Sequence, residues 1–299
     1  MQEGIKMPDE IRCVVPAGDI CGEGAVWHPE QSALYWTDIN RFLVHRLDSA
    51  SGAVNTWLFA EPVTAITLTT NPESLLLVLA SRVAVWSPKL HPQLQTIFQL
   101  NGAPEMRLND ARVDPRGSLW AGTMRNNVGP QGENLDVAFT DAVLYRIDPS
   151  GAVSEWKNGI GISNTLAWSP DSKKFYFGDS IANAIYSFDY DERTGAISGE
   201  RRHFAGYNLG LPDGSAIDAH GYLWNARYGG GCIVRIAPDG SQDRVVFLPA
   251  QNPTTCTFGG PGLKTLYITS ARSAEQLSGS LFAMEPEVAG IPDSRFRLG

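Results

Sequence analysis

The stretch DAHGYLW, residues 218–224, is one of six related segments spread along the chain. They share a polar turn, then a small or apolar residue, then an aromatic or aliphatic pair. The other five are HPEQSALYW (28–36), NPESLLLV (71–78), DPRGSLW (114–120), SPDSKKFYF (169–177) and GPGLKTLYI (260–268). Successive segments lie roughly 41 to 56 residues apart, which is typical of the blades of a β-propeller.

Each of these segments is followed by a second pattern, in which apolar residues alternate and end in a turn rich in Asp, Pro and Gly. LYRIDPSGAV (144–153) and IVRIAPDGS (233–241) are examples. Alternation with a period of two, closed by such turns, indicates β-strands. No stretch repeats apolar residues with the helical period over the dozen residues that a helix needs. The sequence therefore predicts an all-β protein.

Six repeats, each supplying several strands, predict a single six-bladed β-propeller domain over residues 1–299. A closed ring must join its two ends. We expect IRCVV (11–15) and SRFRLG (294–299) to complete one blade together, which would remove exposed sheet edges. The longest interruption of the pattern is a polar loop over residues 125–141. Loops of that length without a pattern of their own are often functional.

The charge composition argues against nucleic acid and anionic membranes as partners. The chain has 299 residues with 24 Lys and Arg against 32 Asp and Glu, a net charge of −8. This acidic balance disfavours nucleic acid and anionic membrane surfaces, and it leaves cations open as ligands. The N-terminus has no apolar run typical of a signal peptide, and the four Cys residues form no CxxC pair. We expect a cytoplasmic protein.

One position of the repeat carries oxygen-bearing side chains in four of the six blades. In a propeller the first strand of each blade lines the central channel, so residues at one phase of the repeat meet near the axis. Counting back roughly 11 to 13 residues from each aromatic or aliphatic pair gives the four candidates. They are Glu23, Asn109, Asn164 and Asp213, whereas the other two repeats supply Ala65 and the pair Thr255–Cys256.

These side chains predict a cation site at one end of the channel. An Asn or Asp next to Gly is by itself usually a turn residue, but four at one phase indicate a shared site. Buried carboxylates need partners, which a bound cation can provide. An all-oxygen set of ligands suits Ca²⁺, Mg²⁺ or Mn²⁺, and it also suits Fe²⁺ or Zn²⁺ when coordination positions stay open for water. Arg107 faces the same side of its strand as Asn109, either to bind substrate or to pair with a carboxylate. Cys256 is better explained as buried packing.

Four segments resemble the SMP-30/gluconolactonase/luciferin-regenerating enzyme family, which includes regucalcin and bacterial sugar lactonases. The resemblance runs from about Gly22 to about Arg272, with the motifs in order, and is nearest to xylonolactonase and arabinolactonase. The segments that carry it are GEGAVWHPEQSALYWTDI, RLNDARVDPRGSLWAGTM, GISNTLAWSPDSKKFYFGDS and LPDGSAIDAHGYLWNARYGGG.

The resemblance implies metal-dependent hydrolysis of a sugar-acid lactone to the free aldonate. Glu23, Asn164 and Asp213 match the positions that bind one divalent cation (Ca, Zn, Mn, Mg or Fe(II)), which would act as a Lewis acid. Arg107 and Asn109 match positions that contact the substrate. We expect Asp213 to serve as the general base as well. The expected partner is a small sugar lactone, and we expect a monomer.

One segment departs from the family pattern. Regucalcin-like members carry acidic residues just after GTM (122–124), where they bind substrate hydroxyls, but this chain has Arg125, Asn126 and Asn127. The departure leaves the substrate open. Three alternatives to a lactonase stay open: a phosphotriesterase built on the same propeller with a similar cation site, a calcium-binding regulatory protein, and a scaffold without activity.

Overall fold

The computed structural model describes residues 10–135 and 140–298. Its strands form six four-stranded antiparallel sheets arranged as the blades of a propeller, which confirms the predicted fold class. The described residues contain no α-helix, only three short 3-10 turns at Pro29–Gln31, Pro88–Leu90 and Pro261–Leu263. None of the helical segments found there has the length and apolar character to cross a membrane.

Blades one to three use consecutive strands, each blade running from the central channel outward. Blade one contains β2 (Gly22–His28), β3 (Ala33–Asp38), β4 (Leu43–Asp48) and β5 (Val54–Leu58). Blade two contains β6 (Val63–Leu68), β7 (Leu75–Leu79), β8 (Arg82–Trp86) and β9 (Leu94–Gln99). Blade three contains β10 (Met106–Val113), β11 (Leu119–Arg125), β12 (Ala142–Ile147) and β13 (Val153–Ile160).

Blades four and five repeat this order, and blade six combines both ends of the strand sequence. Blade four contains β14 (Ser163–Trp168), β15 (Lys174–Asp179), β16 (Ala184–Asp191) and β17 (Ala196–Ala205). Blade five contains β18 (Leu211–Ile217), β19 (Leu223–Tyr228), β20 (Cys232–Ile236) and β21 (Gln242–Phe247). Blade six contains β22 (Asn252–Gly259), β23 (Thr265–Ala271), β24 (Leu281–Met284) and β1 (Arg12–Val15).

The ring is closed by the N-terminal strand alone, which corrects half of our expectation. β1 pairs with β24 and supplies the outer strand of blade six. The C-terminal segment does not join that blade. Its Gly290 forms a β-bridge with Asp218 of blade five, and its Phe296 forms one with Thr69 of blade two. The segment therefore crosses the end of the channel at which the inner strands finish. Because β1 already satisfies the open edge of β24, the C-terminus is free to cover that end, where Asp293 pairs with Arg112.

The repeated sequence pattern supplies the packing between blades. Apolar residues of neighbouring blades form six buried clusters, and the Trp residues of the pattern lie within them. In blades three and five the Asp that opens the turn accepts a hydrogen bond from the Trp indole six residues later. Asp114 binds Trp120 at 3.0 Å and Asp218 binds Trp224 at 3.1 Å. The same Asp therefore stabilises both the turn and the position of the buried indole ring.

All six inner strands have an irregularity at the same phase of the repeat. The register with the second strand shifts after Glu23, Val63, Leu108, Asn164, Pro212 and Pro253. A bulge turns a side chain out of the ordinary alternation and bends the strand. Gly24 adopts a φ of 58° at this point, and a Cβ there would meet the backbone of Ala65 at 2.9 Å. The bulges direct one side chain per blade toward the axis.

Candidate functional site

The five predicted site residues line one cavity of about 450 Å³ at the open end of the channel. Glu23 comes from blade one, Arg107 and Asn109 from blade three, Asn164 from blade four and Asp213 from blade five. All five lie at or next to the bulges of inner strands. At the same phase, blades two and six present Ala65 and Thr255, which line the channel below the cavity. The side chains that share a phase in the sequence therefore meet in space.

Two carboxylates face this cavity without a cationic partner in direct contact. No ion pair joins Glu23 or Asp213 to a Lys, Arg or His in the part of the chain that the structure describes. Burial raises the pKa of Glu23 to about 8, and the nearby carboxylate of Asp110 adds to this. Burial also raises the pKa of Asp213 well above its usual range, with further contributions from Glu23 and Asp110. The two buried carboxylates therefore favour binding of a proton or a cation at this cavity.

A chain of hydrogen bonds orients the amides around these carboxylates. The hydroxyl of Ser180 donates to the Pro212 carbonyl at 2.7 Å and accepts from Asn164 Nδ2 at 2.8 Å. Because the carbonyl can only accept, the amide of Asn164 must present its nitrogen to Ser180. Its Oδ1 then faces Asn109, whose Nδ2 donates to it at 3.1 Å. Ser180 thus keeps the oxygen of Asn164 available as a ligand.

Arg107 is held by amides rather than by a carboxylate. Nε and Nη2 donate to Asn127 Oδ1 at 2.9 and 2.8 Å, and Nη1 donates to Asn109 Oδ1 at 2.5 Å. Burial lowers the pKa of Arg107 to about 10, so the guanidinium remains charged at neutral pH. The expected alternative, a direct salt bridge, is not formed among the described residues. The guanidinium is held rigidly at the cavity wall.

The side chains fit a divalent cation. Glu23 and Asp213 would supply two carboxylates and Asn164 one amide oxygen, which is a hard-oxygen set that leaves positions open for water and substrate. Among the residues that the structure describes, no group of three His, Cys, Asp or Glu side chains forms a metal-binding cluster. The fit therefore depends on the amide of Asn164 as the third ligand, beside two carboxylates that form no ion pair with a described residue.

Several residues of the site escaped prediction from the sequence. Ser180 and Asn127 orient predicted residues, and Cys21 lies in the cavity wall. Asp110 is turned into the channel below, where burial raises its pKa to about 6. Ser180 and Asn127 lie at the ends of second strands, outside the phase that selected the others. Cys256 is fully buried beneath the site with its thiol directed to the Trp224 carbonyl, as its assignment to packing predicted.

Residues 21–272 match the model of the SMP-30/Gluconolactonase/LRE-like region. The chain belongs to this family. A relative, the 6-deoxy-6-sulfogluconolactonase of Pseudomonas putida, is 35% identical over 97% of this chain and 99% of its own. The pentonolactonase XacC of Haloferax volcanii is 31% identical over 93% of this chain and 96% of its own.

A solved structure of the family has the same fold. It is described as a calcium-binding protein, regucalcin, from Agrobacterium tumefaciens, and is 27% identical to this chain. It superposes with a TM-score of 0.89, covering 98% of this chain and 99% of its own. The two chains therefore share this architecture over almost their whole length. Among the relatives, the two lactonases support a lactonase-type enzyme.

Proposed function

We propose that the protein hydrolyses a sugar-acid lactone to the free aldonate, with one divalent cation held by Glu23, Asn164 and Asp213. The observation that carries this is the pair of carboxylates that face one cavity without an ion-pair partner among the described residues. A buried acid pair costs free energy unless a cation or a proton compensates it. The cavity of about 450 Å³ accommodates a ligand of monosaccharide size.

The bound cation would supply Lewis acidity toward the lactone carbonyl and lower the pKa of water beside it. Asp213 takes the proton of the attacking water as that water adds to the carbonyl carbon. The ring C–O bond then breaks, and the proton passes to the departing ring oxygen to give the hydroxy acid. No nucleophilic Ser or Cys is needed, and Cys21 is unsuited to that role because burial raises the pKa of its thiol.

Arg107 and Asn109 orient the substrate. The Arg107 guanidinium is fixed by Asn127 and Asn109, so little side-chain freedom is lost when a substrate oxygen binds to it. The Asn109 amide donates to the Ser163 carbonyl at 2.8 Å and couples Arg107 to the ligand Asn164. Substrate orientation and ligand geometry therefore depend on the same chain of hydrogen bonds.

The relatives support this assignment through what their names state. Two of them, one from Pseudomonas putida and one from Haloferax volcanii, are named as lactonases of sugar acids. The regucalcin structure is described as calcium-binding, which supports a divalent cation without fixing its identity for this chain.

The test is proton release during ring opening by enzyme that a chelator has stripped of metal. D-xylonolactone, L-arabinonolactone and D-gluconolactone would each be assayed before and after adding Ca²⁺, Mn²⁺, Mg²⁺, Zn²⁺ or Fe²⁺ singly. We expect turnover above the spontaneous rate only after metal addition. Paraoxon in the same assay tests the phosphotriesterase alternative. Lactone turnover that is equal with and without metal would overturn the metal assignment, and no turnover at all would overturn the lactonase.

A further inference from the structure

Several polar atoms that remain free around the cavity are hydrogen-bond donors. Arg107 can only donate, so Asn127 must turn its Oδ1 toward the guanidinium, which it contacts at 2.8 and 2.9 Å. The Nδ2 of Asn127 is therefore turned away from Arg107, and it has no acceptor among the residues that the structure describes. This amide offers two N–H groups at the wall of the cavity.

Asn134 is oriented in the same sense by a residue of blade one. Asn40 Nδ2 donates to the Gly132 carbonyl at 2.8 Å and to Asn134 Oδ1 at 3.0 Å. Because the carbonyl only accepts, Asn40 must present its nitrogen, and Asn134 must present its oxygen. The Nδ2 of Asn134 is left without an acceptor in the described part of the chain, and Asn134 also lines the cavity. Asn40 thus anchors the loop and orients its amide.

Two guanidinium groups add further donors to the lining of the cavity. Arg107 and Arg272 both line the cavity, and neither forms an ion pair with a described carboxylate. Arg272 lies at the exposed rim, where it donates to the Gly18 carbonyl. In contrast, Arg41, Arg82 and Arg235 each pair with buried or half-buried carboxylates elsewhere in this acidic protein. Arg107, Asn127 and Asn134 border the cavity from blade three and its loop, and Arg272 borders it from the end of blade six; we name these four residues the donor wall.

We propose that the donor wall binds an anionic substituent of the lactone, a carboxylate, sulfonate or phosphate on the part of the sugar away from the reacting carbonyl. This inference rests on the proposed function. With a divalent cation compensating Glu23 and Asp213, the two guanidiniums leave the cavity with positive charge that a neutral sugar does not balance. N–H donors and guanidinium groups recognise anionic oxygens well. An acidic residue in place of Asn127 would instead accept hydrogen bonds from sugar hydroxyls.

The experiment compares D-gluconolactone with its counterparts that carry a carboxylate, a phosphate or a sulfonate at carbon six. We expect wild-type kcat/KM to be at least about tenfold higher for one of the charged lactones, as a charge-assisted hydrogen bond provides. Arg272→Gln is expected to lower that ratio by about tenfold. Arg201→Gln, which removes an equal charge from an exposed pair with Asp189, should leave the ratio unchanged. The charged lactone with the highest ratio identifies the anion.

The outcomes separate the two proposals. If the neutral lactone is turned over as well as all three charged ones, the donor wall has no anion role and the lactonase stands. If no lactone is turned over, the proposed lactonase activity is wrong. The anion subsite is then tested separately, by calorimetry of glucarate and gluconate binding to Mn²⁺-loaded protein. Tighter binding of glucarate, lost in Arg272→Gln, would support the subsite. Equal binding of the two anions would overturn it.

Discussion

Two sets of buried carboxylates in this propeller have opposite environments. At the covered end of the channel, Asp218 accepts hydrogen bonds from two backbone amides, from the Trp224 indole and from Arg235. At the open end, Glu23 and Asp213 have no ion-pair partner among the described residues, and the pKa of each is raised. The carboxylate at the covered end is fully partnered, whereas the two at the open end have the unpaired arrangement that we propose for a cation site.

The largest effect is expected from Asp213→Asn. The substitution removes the proposed general base and replaces one carboxylate ligand of the cation with a neutral amide. Lactone turnover should therefore fall by about 10³-fold. The fold should be retained, because the mutation relieves the repulsion between Asp213 and Glu23 in the cation-free protein. Initial rates with saturating metal, together with thermal unfolding, would check both parts. A near-normal rate would show that another group takes the proton.

Asp218→Asn tests the other region. The change leaves the Arg235 guanidinium, which is mostly buried, with Asp243 as its remaining carboxylate partner. We expect the free energy of unfolding to fall by about 3 kcal/mol, as for other broken buried pairs. Urea unfolding would measure it. The matched control is Asp189→Asn, whose partner Arg201 is exposed, and which should leave the free energy of unfolding nearly unchanged. Equal losses in the two variants would contradict the contrast between buried and exposed pairs.

Ser180→Ala tests whether the orientation of Asn164, a proposed metal ligand, depends on its hydrogen bond to Ser180. Without the hydroxyl, the Asn164 amide loses the acceptor that fixes its nitrogen, and only the hydrogen bond from Asn109 Nδ2 still holds its oxygen. Affinity for Mn²⁺ measured by calorimetry should fall by about tenfold or more. Ser74 is buried to the same extent, at 6% exposure, but lies at the covered end. Ser74→Ala should leave the affinity unchanged, so a similar loss in both variants would indicate a general loss of structure.

A fourth prediction concerns the pH dependence of the stability of the metal-free protein. Because the pKa of Glu23 is raised from 4.5 to about 8, the folded state holds a proton that the unfolded state releases. Stability should therefore fall as pH rises between about 5 and 8. Thermal unfolding in chelator at several pH values would show this slope, and it should flatten in Glu23→Gln. Addition of a divalent cation at pH 8 should restore stability. A midpoint that rises with pH would contradict the assignment.

The sequence alone was sufficient for much of the site. The period of the repeat determined the number of blades, and the phase within it selected Glu23, Asn109, Asn164 and Asp213. This worked because inner strands are equivalent by architecture, so equal phase means equal depth along the channel. The roles of these residues remain predictions, but their meeting in one cavity is a property of the structure.

Other features depended on contacts between residues far apart in the sequence. Local patterning could not show that β1 alone closes blade six, since both termini have strand-like sequences. Nor could it show that Phe296 packs between blades two and three, which places the C-terminus across the channel. Such choices depend on which sheet edge remains unsatisfied after the ring has formed.

What the sequence determined by itself is the period, the all-β character and the phase of the oxygen-bearing residues, because these are properties of local patterning and repetition. What only the tertiary structure decided is the direction of each polar group. Ser180 orients Asn164, Arg107 orients Asn127 and Asn40 orients Asn134. Each choice follows from a donor or acceptor that arrives from another strand or another blade, and hydrogen-bond direction is fixed only when both partners are in place.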